Sequence, residues 1–137
     1  MAFVGNKTKP QLEIVTRRDI QKYAVATSNR QEKYLSGDEA PPMFHWHLFW
    51  EVMELENLSS DGVNIDSLLP TLPLLKAMAG GVEMEYLKPI FPGDWLTSVR
   101  TLTDIYEKEG RSGHLIFYEV LMEITNDDGD LVVRDRR

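Results

Sequence analysis

The chain has 137 residues, 42% of them hydrophobic, and contains no cysteine, which suits one domain with a real core and excludes disulfide and thiolate chemistry. A net charge of −7 argues against non-specific nucleic-acid binding, which runs on basic patches. No apolar run is long enough to cross a membrane, and the first residues lack the apolar core of a secretory signal, so a soluble cytoplasmic protein is expected.

Taken in chain order, Thr16-Arg17-Arg18-Asp19 resembles a capping box, and Ile20, Tyr23 and Ala24 follow at helical spacing. This predicts a helix over 17–28. A polar stretch over 28–39 follows, with a turn signal at Ser36-Gly37-Asp38. Pro41-Pro42 then makes a stiff entry into a segment apolar on nearly every side: Phe44, Trp46, Leu48, Phe49, Trp50, Val52, Met53 and Leu55. A helix of that kind is buried, and it is expected over 43–56. Pro70 and Pro73 oppose regular structure in 59–80.

The second half alternates with a period of two. Val82, Met84 and Tyr86 share one side of a strand. Trp95, Thr97, Val99, Thr101, Thr103 and Ile105 share a side of a longer one. Ile116, Tyr118, Val120, Met122 and Ile124 give an unbroken apolar side of another, with Glu119 and Glu123 opposite and therefore wet. The stretches 109–113 and 126–129 are hairpin turns, and a last strand begins at Leu131. An antiparallel sheet with one apolar face must be covered, and the apolar helix is the available cover. The pattern gives α+β.

Candidate chemistry is sparse. His45 and His47 stand two residues apart, so on a helix they point to different sides, which defeats a shared metal site. Each is either a hydrogen-bonded structural side chain or part of a pocket. His45 is the better functional candidate, because a helix N-terminus offers free N–H groups beside it. His114, Asp38-Glu39 and Glu83/Glu85 read as solvated surface. No metal motif, phosphate-cradling glycine loop or serine elbow is present in the sequence, and no cofactor is expected.

One segment carries a family resemblance. Tyr86-Leu87-Lys88-Pro89-Ile90-Phe91-Pro92-Gly93-Asp94-Trp95 is similar to the hallmark stretch of MaoC-like enoyl-CoA hydratases and dehydratases. The prolines and glycine suit a sharp reversal between strands. The turn Lys108-Glu109-Gly110-Arg111-Ser112-Gly113 resembles the non-catalytic halves of double-hotdog dehydratases. Ala40-Pro41-Pro42-Met43-Phe44-His45-Trp46 and Ala79-Gly80-Gly81 resemble the N-terminal half of mesaconyl-CoA-type hydratases. The resemblance implies a single MaoC-like hotdog domain over 1–137, with a curved antiparallel sheet wrapped round one long central helix.

The family's active subunits carry Gly-Asp-x-Asn-Pro-x-His after the first helix. Here that place reads Ser28-Asn29-Arg30-Gln31-Glu32-Lys33-Tyr34, with Asn29 for the Asp and Tyr34 for the His. Hydrating an enoyl thioester needs a group that activates water and a proton for the α-carbon. Asn accepts no proton at neutral pH, and Tyr is a poor base. The resemblance therefore implies a subunit without catalytic residues of its own. It would shape the acyl pocket through Phe44, His45, Trp46, Phe49, Gly80 and Gly81, and contact coenzyme A, bound only as part of the substrate, through Lys88, Lys108 and Arg111. Its expected partner is a second MaoC-like hotdog subunit bearing the Asp/His pair, in a heterodimer or heterotetramer. The alternatives are a self-sufficient homodimeric hydratase or thioesterase using His45, and a non-enzymatic acyl-CoA-binding module.

Overall fold

The computed structural model describes residues 4–58, 80–111 and 113–137. The first strand, β1 (Gln11–Ile14), precedes helix α1 (Arg17–Ala26), the short helices α2 (Glu32–Leu35) and α3 (Phe44–Leu48), and a 3-10 turn at Leu55–Asn57. Strands β2 (Glu83–Tyr86), β3 (Trp95–Gly110), β4 (Gly113–Thr125) and β5 (Leu131–Arg136) complete it. Among the described residues the five strands form one antiparallel sheet in the order β1-β3-β4-β5-β2.

Helix α1 starts where its capping residue places it, with Thr16 Oγ1 accepting the Asp19 N–H at 3.1 Å. Ile20 and Ala24 are its buried side. The turn after α2 needs its glycine. Gly37 has φ +77°, and a Cβ there would lie 2.5 Å from Arg17 Cγ and 2.9 Å from the Arg17 carbonyl oxygen. This turn returns the chain onto α1, where Arg17 pairs with Asp38.

The helix expected over 43–56 covers only Phe44–Leu48. Phe44 and Phe49 are buried, but Trp50, Val52 and Leu55 are 55%, 102% and 85% exposed. A run that is apolar on every side has no 3.6-residue stripe to fix a helical register, so its composition spoke for burial and not for helicity. Strand β1 was not anticipated: Gln-Leu-Glu-Ile is four residues long with only two apolar side chains. The irregular 59–80 segment, Gly80 apart, lies outside the described residues.

The core face of the sheet presents Leu96, Ser98 and Leu102 from β3, Met122 and Ile124 from β4, and Val133 from β5. On β3 the buried side is thus opposite to the Trp95–Thr97–Val99 side. A bulge between Leu102 and Asp104 leaves Thr103 unpaired and reverses the alternation, which returns Ile105 to the interior. A second irregularity opposite Ile124 and Thr125 accompanies the burial of both Val132 and Val133. Val15, Ile20, Phe44, Phe49 and Ile90 close the core over this face, with Tyr23 edge-on to Phe44 at 5.7 Å between ring centroids. Beyond the bulge, β3 and β4 continue as a two-stranded hairpin with Tyr106 stacked on Phe117 at 5.2 Å.

Core and exposed apolar positions should separate in unfolding measurements. Ile124→Ala is expected to remove about 2–5 kcal/mol of stability, whereas Val52→Ser should change it by less than about 0.5 kcal/mol. Urea denaturation of the two variants checks this.

Candidate functional site

The residues around α3 divide between two hollows. One is an open groove of about 1720 Å³ whose walls include Tyr23, Trp46, Trp50, Met53, Arg100 and Arg137, with Lys7 and Lys9 at its border. The other is a cavity of about 300 Å³ between Pro41-Pro42 and the segment 86–90, with Tyr34, His45, Tyr86, Lys88 and Ile90 in its wall. Among the described residues none lines both.

Asp135, fully buried near the end of β5, lies at the junction. His45 Nε2 stands 2.9 Å from Asp135 Oδ2, and the Trp46 indole N–H donates to the same oxygen. Arg137 donates from Nε to Oδ1 and from a terminal nitrogen to Oδ2, both at 3.1 Å. The Arg137 guanidinium also lies 3.5 Å from the Trp46 ring centroid. Burial pushes the Asp135 carboxyl up, but the bonds from His45, Arg137 and Trp46 outweigh it and hold it below the usual range. A carboxylate accepts only, so Nε2 carries the proton shared with Asp135. The other ring nitrogen, Nδ1, is buried and has no hydrogen-bond partner among the described residues.

The backbone leading into α3 is strained at this point. Met43 has φ 72°, uncommon outside glycine and asparagine, and its N–H donates to Tyr86 Oη at 3.2 Å. The ring of Tyr86 lies edge-on to His45 at 6.2 Å.

The structure distributes the sequence candidates widely. His45 borders the small cavity and Trp46 the groove, whereas Phe44 and Phe49 belong to the core. Gly80 and Gly81 are exposed and line neither hollow. Lys88 borders the cavity and is paired with Asp130 at 2.6 Å. Lys108 lies over Phe117 on the hairpin and Arg111 sits at its tip, both away from the two hollows. Asn29 accepts the Gln31 N–H through its side chain, and Tyr34 is buried. As helical geometry requires, His45 is buried and His47 exposed. His114 is half exposed and faces Glu107. Asp135 went unseen because Arg134-Asp135-Arg136-Arg137 reads as solvated charge. Strand alternation was the available signal: Asp135 shares a side of β5 with Val133.

Residues 2–135 match the family described as FAS1-like, dehydratase domain region. The chain belongs to that family. This FAS1-like dehydratase-region chain is 26% identical to the mesaconyl-C(4)-CoA hydratase of Chloroflexus aurantiacus over 144 residues. That alignment takes in 98% of the chain but 51% of the hydratase, so the chain spans about half the length of the curated relative it matches. The hotdog fold is shared with the ChsH1–ChsH2 complex of Mycobacterium tuberculosis, at a TM-score of 0.65 and 20% identity over 96% of this chain and 85% of that one. The Mycobacterium tuberculosis HadBC (3R-hydroxyacyl-ACP dehydratase) complex gives 0.63 and 18% over 98% and 93%. The unliganded R-hydratase PhaJ1 of Pseudomonas aeruginosa gives 0.63 and 16% over 97% and 77%. Among the described residues no helix is long and apolar enough to cross a membrane, and no group of three acidic or imidazole side chains is placed to hold a metal ion.

Breaking the Asp135 cluster should be costly. Asp135→Ala would leave His45 and Arg137 without their carboxylate, a loss of about 3–5 kcal/mol. The folded carboxyl is depressed, so its stabilisation is complete above the unfolded Asp value of about 4. It is lost as the pH falls through the lower folded value. Urea unfolding across acid pH should therefore show a steeper decline for the wild type than for Asp135→Asn.

Proposed function

We propose that this chain is the pocket-forming, non-catalytic subunit of a cytoplasmic, heteromeric enoyl-CoA hydratase or dehydratase acting on an acyl-CoA thioester. The reading is carried by the segment after α1. Where active MaoC-like subunits hold Asp and His, Asn29 caps the Gln31 N–H and Tyr34 is buried in the wall of the small cavity. Neither side chain supplies a base at neutral pH.

Three further observations support it. The chain matches about half of a hydratase relative, whose other half leaves room for a second hotdog beside this one. The two Mycobacterium tuberculosis neighbours are both described as complexes. And Trp50 and Val52, in the wall of the groove, and Leu55 are exposed apolar side chains, as an uncovered contact surface would carry. In this reading the groove takes the thioester. Trp46 and Trp50 offer apolar walls to the acyl and pantetheine chain, and Arg100, Lys7 and Lys9 give a basic border suited to the nucleotide phosphates. The placement of the groove favours these cations over Lys108 and Arg111. Coenzyme A enters only as part of the substrate, and no separate cofactor is required.

The test is turnover. The purified chain should hydrate enoyl-CoA thioesters at close to the uncatalysed rate, across a panel of fatty, short branched, dicarboxylic and steroid side-chain substrates. Co-expression with a MaoC-like hotdog that carries Gly-Asp-x-Asn-Pro-x-His should restore activity, and replacing that partner's Asp or His should lower kcat by about 10²–10⁴-fold. Trp50→Ala in this chain should raise KM with kcat nearly kept. Rapid turnover by the chain alone, lost in His45→Gln, would replace this reading with a self-sufficient homodimer. Tight acyl-CoA binding without turnover under any pairing would make the chain a binding module.

A further inference from the structure

We propose that Tyr86 is a positioning residue for the groove: its hydroxyl holds Met43 in the left-handed conformation that turns Trp46 onto the Asp135 carboxylate and into the groove wall. Tyr86 acts from outside, since it lines the small cavity and not the groove. Only the identity of the groove's ligand rests on the thioester reading.

Helix α3 is too short to place itself. Five residues close few internal hydrogen bonds against the cost of nucleating a helix. Its position is therefore set from outside, and two anchors hold it. One is Asp135, which takes the Trp46 indole N–H and faces His45 Nε2 at 2.9 Å. The other is Tyr86 Oη, which accepts the Met43 N–H at 3.2 Å just ahead of the helix. Pro42 fixes its own φ, so the change of direction falls on Met43, at φ 72° and ψ −4°.

Methionine does not hold that conformation by itself. A Cβ makes the left-handed region costly, and a residue other than glycine stays there only where its surroundings hold it. The Tyr86 hydroxyl is the restraint on the Met43 N–H. Its own proton goes to Met84 Sδ at 3.1 Å, so it donates within β2 and accepts from Met43. The bond thereby joins β2, at the end of the sheet order, to the entry of α3, 43 residues away in the chain. Released, Met43 would return to negative φ, and the turn bearing His45 and Trp46 would swing off Asp135. The groove would then lose the fixed ring of Trp46, over which the Arg137 guanidinium lies at 3.5 Å.

Tyr86→Phe keeps the ring and removes the hydroxyl. In ¹H–¹⁵N spectra of the full chain, Trp46→Phe identifies the Trp46 signal among the three indole N–H resonances. Tyr86→Phe should speed solvent exchange of that indole by about tenfold, the share of one hydrogen bond. The backbone amides of Met122 and Ile124 should keep their protection, which a general loss of stability would not allow. Met43→Gly takes the positive φ unaided, so in that background Tyr86→Phe should leave Trp46 exchange unchanged. Butyryl-coenzyme A, a saturated thioester that cannot be hydrated, should bind the Tyr86→Phe chain about threefold more weakly, because the chain must first order the Trp46 side chain. If the wild type does not bind it, the thioester reading fails and the exchange rates alone decide the role of Tyr86. Where Tyr86→Phe alone does not fold, Met43→Gly should rescue it. Unchanged Trp46 exchange, an equal loss of protection at Met122 and Ile124, the same effect in the Met43→Gly background, undiminished thioester affinity, or a double variant that does not fold would each overturn the proposal.

Discussion

The Asp135 carboxylate is the constraint around which the interior is arranged. It is a charge taken fully out of water on the last strand, which is affordable only with several donors in place. Those donors come from α3, through His45 and Trp46, and from Arg137 just past β5. The ion therefore ties the sheet to the helix that covers it, and it orients one wall of each hollow with the same two oxygens. Trp46 and Arg137 are groove residues, His45 is a cavity residue, and none can reorient without leaving the carboxylate short of a partner.

Much of the fold was legible because its signals are local. Thr16 capped the helix it was expected to cap, Gly37 and Gly129 adopt the positive φ their turns require, and the alternation over 113–125 marked the strand whose Met122 and Ile124 enter the core. The hallmark stretch before β3 closes as its composition suggests, with Gly93 at φ +92° and the Phe91 N–H held by Asp94. The failures are equally physical. The side of β3 that faces the core was not marked by the sequence, because Thr and Val favour strands on either face and the bulge at Thr103 changes the parity midway. The length of α3 was overestimated because uniform apolarity carries no period.

The site was half visible. His45 stood out by its place beside a helix start, and the structure gives it a buried carboxylate partner. That partner is 90 residues away and lies within a run of alternating charges, where composition points to solvent. Only the inward parity shared with Val133 distinguishes Asp135 from Arg134 and Arg136. Asn29 and Tyr34 were legible as residue types only; that the first accepts the Gln31 N–H and the second is buried is set by the packing of the segment after α1.

The β3–β4 hairpin is the part of the sheet with the shortest loop to close. Its strands are joined by a short turn and pair over most of their length, so it forms at small loop-closure cost. Joining β1 to β3 spans the greater part of the chain, and so does bringing His45 to Asp135. Those steps carry the larger entropic penalty and are expected to come late, on a sheet the hairpin has already nucleated. The two hollows are then expected to take shape last and to be lost first when the protein opens locally, so a ligand that filled either would clamp the contacts that form most slowly.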